Sequence, residues 1–329
     1  MAESICVRRR TVLRAASLLG AAVYPMLARA QYPARPIQLI VPGGAGASTD
    51  VVARIIQFPA QRALGQPLVI DNRSGAGGVV GTRDVVRSPP DGYTLLVASM
   101  GTQVLVPLLV ADAGFDTLRD LAPITKLVDV PGIILAMPGL PVRNLSELIA
   151  LARASPQPLA YGTPGVGTSA HLIAELLCTR TGIKLLHIPY KTSPQSYADL
   201  MAGRLPLVFT LVTGVQGLVA SGKMKPIAVT GAQRISALPQ VPTVQESGVP
   251  NFDVVSWYGL MAPAGTPTAV LDRVHQAMKT ALGSDEVRNR MAELGAEVAG
   301  STPLEFAAEL RAEFRTWAEV IRTAKIKVS

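Results

Sequence analysis

Ile37-Gln38-Leu39-Ile40-Val41-Pro42-Gly43-Gly44-Ala45-Gly46-Ala47-Ser48-Thr49-Asp50-Val51-Val52-Ala53-Arg54 decides the fold class. Its first five residues are a short apolar run with β-branched side chains, which predicts a buried strand. A loop of Gly and Ala follows. Ser48, Thr49 and Asp50 then predict a helix start, with small polar side chains capping its orphan N–H groups, and Val51, Val52, Ile55 and Ile56 continue the helix. A glycine loop feeding a helix N-terminus turns backbone N–H groups outward, with the positive end of the helix dipole behind them. The stretch therefore reads as an anion site built without a charged side chain. It is also the ordinary joint of an α/β domain, and this segment alone does not choose between the two. It is not a P-loop, because no Gly-Lys-Ser or Gly-Lys-Thr follows. Nor is it a dinucleotide fingerprint, because Thr49 stands where the third glycine belongs.

The same alternation continues outward. Leu68–Ile70 and Tyr93–Ala98 read as strands, with a helix opening at Val79 and stopping at Pro89-Pro90. This βαβαβ order predicts a parallel sheet with helices on both faces. Ligands in such sheets sit at the carboxyl ends of the strands, where the loops 43–49, 74–78 and 99–102 fall. Ala122–Val130 and Ile133–Ala136 read as two strands around Pro131-Gly132. A second α/β set follows, with Asn144 and Glu147 as a capping pair. There Gly162-Thr163-Pro164-Gly165-Val166-Gly167-Thr168-Ser169-Ala170-His171 repeats the opening logic after the strand Leu159–Tyr161. Strands are expected at 185–188, 205–210, 227–230 and 252–261, and helices at 196–201, 214–221, 269–282, 285–294 and 303–321. The last helix is expected to pack back on the first half of the chain. Two glycine-loop units, one in each half, point to two lobes clamping one anion, and a small carboxylate is the expected ligand.

The N-terminus reads as an export signal. Arg8, Arg9, Arg10 and Arg14 form a basic region, Ala15–Leu27 is a short apolar run, and Ala28-Arg29-Ala30 is a small-x-small cleavage site. Arg9-Arg10-Thr11-Val12-Leu13 resembles the twin-arginine pattern, with the Sec route open. Cleavage after Ala30 lowers the formal charge from +8 to +4, with no Lys/Arg block, so nucleic acid is not a partner. The mature chain keeps one cysteine, Cys178, and so has no internal disulfide; its stability must come from its core.

The chain also resembles a known family. Tyr32-Pro33-Ala34-Arg35-Pro36-Ile37, Asp71-Asn72-Arg73-Ser74-Gly75-Ala76-Gly77-Gly78, Pro90-Asp91-Gly92-Tyr93-Thr94-Leu95-Leu96, Tyr161–Leu172, His187-Ile188-Pro189-Tyr190-Lys191 and Ala262-Pro263-Ala264-Gly265-Thr266-Pro267 stand in the order seen in the tripartite tricarboxylate transporter substrate-binding family, the Bug family of extracytoplasmic solute receptors. The resemblance spans the mature chain. It implies an α/β, two-lobed periplasmic-binding-protein-like fold of type II. Lobe one would hold 31–131 and 233–329 and lobe two 132–232, with hinge strands near 126–136 and 226–232. It implies a periplasmic protein that captures a di- or tricarboxylate, an acidic amino acid or an aromatic acid by hinge closure. The partner would be the membrane permease of a tripartite tricarboxylate-type transporter. A sensory receptor using the same clamp is the alternative. By matching position, the implied ligand contacts are Gly43, Gly44, Ala45, Gly46, Ala47, Ser48, Thr49 and Asp50; Ser99 and Thr102; Thr163, Gly165, Gly167, Thr168 and Ser169; and Tyr190 and Asp199. No catalytic residue, metal or cofactor is implied. The chain departs from the family pattern at Gly43, where a bulky apolar residue is usual. It departs again at Ala47, where a second glycine is usual, and at Val106-Pro107, where Asn-Pro is frequent.

Single residues carry weaker signals. His171 and Glu175 share a helix face, which reads as a hydrogen-bonded helix histidine rather than a metal site. His187 reads as a satisfied core residue, with a ligand role left open by its position beside the Tyr190 loop. Asp50 reads equally as a ligand contact and as a helix-start residue, and Arg54 and Arg73 as surface salt bridges. Trp257 and Tyr258 read as lining the cleft or packing the core strand, with core favoured. No Gly-x-Ser-x-Gly elbow is present, which disfavours an exported hydrolase, although a pair of Ser99 or Ser169 with His187 stays open. Asp50→Ala and bulky residues at Gly165 or Gly167 are expected to weaken binding with little loss of fold.

Overall fold

Strand β1 (Ile37–Val41) and helix α1 (Ser48–Leu64) form as the opening stretch predicts. The computed structural model describes residues 32–190, 192–324 and 326, so the leader expected at 1–30 and Lys191 lie outside the described residues. β1 is buried except at Gln38 and runs parallel to β2 (Leu68–Asn72) and β3 (Thr94–Ser99), with α2 (Val79–Val86) between those two in sequence. A wide turn of π geometry at Gly101–Leu105 and two four-residue helices, α3 (Val106–Leu109) and α4 (Thr117–Asp120), lead on to β4.

β4 (Leu121–Ala136) is one continuous strand of 16 residues, not the two expected around Pro131-Gly132. Proline interrupts a strand only where its missing donor is needed. Here the Pro131 carbonyl still accepts from the Val212 N–H at 3.0 Å, and the Gly132 N–H donates to Thr230 Oγ1 at 2.8 Å. The glycine also makes room: a Cβ at 132 would lie 2.8 Å from the Ile173 side chain.

The second set then follows as α5 (Leu145–Ala154), β5 (Leu159–Thr163), α6 (Ser169–Thr181), β6 (Leu185–Pro189), α7 (Ser193–Met201), β7 (Leu207–Leu211), α8 (Gln216–Ala220) and β8 (Lys225–Val229). Asn144 caps α5 by accepting from the Glu147 N–H at 2.9 Å, while the Glu147 carboxylate reaches back to the Arg143 N–H at 2.8 Å. The chain returns through β9 (Val255–Pro263), α9 (Thr268–Leu282), α10 (Asp285–Glu293), β10 (Glu297–Val298) and α11 (Pro303–Ala324).

The strands join in the order β2-β1-β3-β9-β4-β7-β5-β6, with β10 and β8 also pairing β4. The first half of the sheet is therefore mixed rather than wholly parallel, because β9 enters antiparallel between β3 and β4. β4 belongs to both halves. Its residues 121–131 pair with β9, Gly132–Ala136 pair with β7, and Ile133–Ala136 pair with β8. This is the mixed α/β sheet with flanking helices of a type II periplasmic-binding-protein fold. α11 packs on β4 and on the 101–105 turn, as expected for a returning helix, and also on α6 of the second set. Its Phe306 meets Trp257 edge-to-face at 5.0 Å between ring centroids, and only a glycine at 259 leaves that ring its space. Among the described residues, no helix is long and apolar enough to cross a membrane.

Candidate functional site

The first loop is fixed from inside by Asp50. This residue is 1% exposed. Its Oδ2 accepts from the Gly46 N–H and from Arg54 Nε, both at 2.8 Å, and its Oδ1 accepts from Asn72 Nδ2 at 3.0 Å. Asn72 also donates to the Gly43 carbonyl at 3.2 Å, so the end of β2 holds both ends of the loop. Burial works against the Asp50 charge, but the bonds from Arg54, Gly46 and Asn72 outweigh it and hold the carboxyl below its ordinary range. Asp50 is thus a bracket for the loop. The expected capping by side chains at the start of α1 is corrected as well. The N-cap is Ala47, with no side-chain bond, and Ser48 is already the first helical residue. The N–H groups of Ser48, Thr49 and Asp50 have no acceptor within the helix. Gly46 adopts φ 80° and turns its own N–H inward to Asp50, while the Ala47 N–H donates to the Gly44 carbonyl at 3.1 Å. Half-buried Gly43 and exposed Gly44 and Ala45 form the approach to the helix. Asn72→Ala is expected to cost about 1–2 kcal/mol, since it strips one donor from two acceptors; urea unfolding measures this directly.

The three loops at the ends of β1, β2 and β3 meet at Gly78. With φ 96°, it comes so close that a Cβ would lie 2.5 Å from Thr102 Cγ2 and 3.2 Å from the Pro42 carbonyl. Ser99 and Thr102 lock each other: their hydroxyls lie 3.1 Å apart, and the Ser99 N–H donates to Thr102 Oγ1 at 3.2 Å. Buried Gln103 supports them by donating to Thr102 Oγ1 at 3.1 Å and to Thr82 Oγ1 at 3.0 Å.

The second loop is built in the same way with different parts. Gly165 and Gly167 take φ 145° and 75°. The Gly165 N–H donates to Thr163 Oγ1 at 3.2 Å, and the Gly167 N–H donates to His171 Nδ1 at 3.1 Å. Thr168 caps α6 by accepting from the His171 N–H at 3.4 Å, which leaves the Ser169 and Ala170 N–H groups at the helix start. His187 Nε2 lies 2.7 Å from Thr163 Oγ1. Tyr190 stands beside the loop, its N–H donating to the Thr163 carbonyl at 3.0 Å and its hydroxyl to Asp199 Oδ2 at 2.7 Å. The Tyr190 bond and Arg204 hold Asp199 below its usual range, so Asp199 braces Tyr190.

Strand β9 brings the two helix starts together. Tyr258 is buried beside Ser48 at the head of α1: burial pushes its phenol up and Ser48 pulls it partly back. Ser256 Oγ lies 3.4 Å from Ser169 Oγ at the head of α6. Residues two apart on a strand share a face, so the first turns of α1 and α6 meet the same face of β9. Ser99 is the register partner of Tyr258 on β3 and adds its hydroxyl beside them. Trp257 points the other way, donating from Nε1 to Glu313 Oε2 at 2.7 Å. The sequence leaves both aromatic residues between cleft and core, with core favoured. The signal for separating them was the i, i+2 placement of Ser256 and Tyr258 in an otherwise apolar strand. The loops 43–50, 99–102 and 162–169 hold no lysine or arginine. Within these loops positive potential comes from N–H groups and helix dipoles, and the neighbouring Arg54 is paired with Asp50.

His171 hydrogen-bonds within its helix start, as expected, and Arg54 and Arg73 form salt bridges, with Asp50 and with Asp71 and Asp84.

Comparison with known proteins points the same way. A model of the tripartite tricarboxylate transporter family receptor matches residues 52–325. Protein BugT of Bordetella pertussis is 37% identical over 298 residues, covering 90% of this chain and 91% of BugT. The solved structure of R. palustris Rpa4515 with adipate is 35% identical, with a TM-score of 0.80 over 90% of this chain and 99% of that one. MatC from Rhodopseudomonas palustris with bound malate is 29% identical, with a TM-score of 0.75 over 88% of this chain and all of the other.

Proposed function

The chain belongs to the tripartite tricarboxylate transporter receptor family, a family of solute-binding receptors rather than enzymes, and from that premise we propose that it captures a small dicarboxylate in the periplasm for a membrane permease. The observation that carries this reading is the convergence of two helix starts on one face of β9, through Ser48 with Tyr258 and Ser169 with Ser256. Two half-positive helix ends aimed at one place suit a carboxylate, and loops without lysine or arginine let the ligand leave again. The adipate and malate seen in the two related structures are both dicarboxylates.

The first-turn N–H groups of α1 and α6 take the ligand's carboxylate oxygens. The hydroxyls of Ser48, Thr49, Ser99, Thr102, Ser169 and Tyr258 fix its orientation. Gly46, Gly165 and Gly167 shape the loops, and Asp50, Thr163, Thr168 and Asp199 hold them. Lobe one (31–131 and 233–329) and lobe two (132–232) close about β4 and the 226–232 segment, and the closed form is what the permease reads. Residues 1–30 direct export.

Thermal unfolding of the chain from Gln31 against adipate, malate, citrate, glutamate, benzoate and glucose tests the reading. A ligand at about 100 times its Kd adds roughly 2.7 kcal/mol. A rise in Tm with one carboxylate class and none with glucose is expected. No rise with any carboxylate, in protein shown by native mass spectrometry to be ligand-free, overturns it.

A further inference from the structure

Two histidines lie directly beneath the second loop. The His171 and His187 rings stack at 3.9 Å between centroids, with 14° between planes, and Tyr161 also stacks against His187 at 5.0 Å. Each imidazole touches the loop through one nitrogen: His171 Nδ1 accepts from the Gly167 N–H, and His187 Nε2 meets Thr163 Oγ1. Thr163 Oγ1 in turn accepts from the Gly165 N–H. The two rings therefore fix three points of one short loop. We propose that His171 and His187 are positioning residues, a neutral stacked pair that latches the 163–168 loop so that the first-turn N–H groups of α6 stay aimed at the ligand. This proposal rests on the carboxylate-binding reading above.

The chemistry demands a neutral His171. A ring nitrogen accepts a hydrogen bond only while it carries a lone pair, so the single proton of His171 sits on Nε2. Protonation would set two N–H groups against each other at Gly167 and open the latch. Burial keeps both rings neutral, pushing each down to about 4, and for His171 the neighbouring His187 adds to this. The groups facing the pair are consistent with that state. On α6, Glu175 Oε1 lies 3.8 Å from His171 Nε2, beyond hydrogen-bond reach, and it already accepts from the Tyr161 hydroxyl at 2.6 Å. Cys178, one turn further on, is pushed up to about 12 by burial and stays a thiol. From β5 comes the Tyr161 phenol, pushed up by burial and by Glu175. β7 contributes only the edge of Phe209, against Tyr161. From α11, Glu309 and Glu313 face α6 at Leu176, beyond the pair.

The test separates the acceptor from the ring. His171→Phe keeps a stacked ring and loses the acceptor. His171→Asn keeps an acceptor near the Nδ1 position. Titration calorimetry with adipate at pH 7 is expected to show about tenfold weaker binding for the Phe variant, the worth of one hydrogen bond, and binding within about threefold of wild type for the Asn variant. Equal affinities for the two variants overturn the proposal. A second readout needs no ligand. In the ¹⁵N-labelled apoprotein, His171 Nδ1 is expected to be unprotonated at pH 7. The Gly167 amide signal is expected to titrate with the His171 ring in wild type and to stop titrating in His171→Asn. A Gly167 amide indifferent to His171 overturns the latch whether or not adipate binds. Failure of wild type to bind adipate, with the amide titration intact, counts against the ligand class and leaves the latch upheld.

Discussion

Asp50→Ala is expected to lower stability by about 2–3 kcal/mol and to weaken carboxylate binding by about a hundredfold. The carboxylate receives three donors, from Gly46, Arg54 and Asn72, and it is buried to 1% exposure. Without it, the Gly46 N–H loses its acceptor and the Asn72 amide keeps only the Gly43 carbonyl. Arg54 is 52% exposed along its side chain and rehydrates, which keeps the loss below that of a fully buried pair. Sequence reading expected little loss of fold here; the buried bracket adds a folding cost to the binding cost. Asp50→Asn retains one acceptor oxygen and is expected to fall between wild type and alanine. Urea unfolding and calorimetry on the same samples measure both effects, and an alanine variant with unchanged stability and affinity would remove Asp50 from the loop's support. The Asp50 contribution is present above the ordinary carboxyl range and is lost as pH falls through the lowered folded value.

Glu313→Gln is expected to stabilise the protein at pH 9 by about 3 kcal/mol and to change little at pH 5. Burial pushes this carboxyl up to about 8 from an ordinary 4.5; Glu309 pushes the same way, while the Trp257 bond and Lys126 pull it down. A folded value above the unfolded one means that the neutral acid stabilises the fold. That contribution is full below about pH 4.5 and is lost as pH rises through about 8. Glutamine keeps an acceptor for Trp257 Nε1 and never ionises. The unfolding free energies of the two proteins should therefore diverge steadily between pH 5 and pH 9. Parallel curves across that range would show that Glu313 ionises as an ordinary surface carboxylate. The histidine pair slopes the other way. Its folded values lie near 4, below the ordinary 6.5, so its contribution is full above about 6.5 and is lost as pH falls toward 4.

Much of this architecture was legible because it is written in local pattern. β1, β3 and β5 are apolar runs ended by small-residue loops, and the helix cap at Asn144 is a local hydrogen bond. What the sequence hid was long-range. Pro131-Gly132 looks like a break until Val212 and Thr230 arrive from elsewhere to satisfy the backbone on either side. Asp50 looks like a cap until Asn72, 22 residues on, turns it into a bracket. Ser256 and Tyr258 carry no motif; their meaning comes from where β9 sits between β3 and β4. The backbone donors of the site leave no side-chain signature at all, which is why glycine spacing revealed the loops but not which N–H groups face outward.

The placement of β9 also governs the order in which the chain can become native. Val255–Pro263 fills the slot between β3 and β4, more than a hundred residues after either strand is made. A nascent chain that has reached residue 250 can complete the second half of the sheet from contiguous segments, 132–229. The first half must wait, with one edge of β3 and most of one edge of β4 unpaired. Unpaired edges are templates for wrong pairing, and distant partners make slow folding. The half that carries the Asp50 bracket is therefore the last to assemble, and it is the half a chaperone or a passing second copy would meet open.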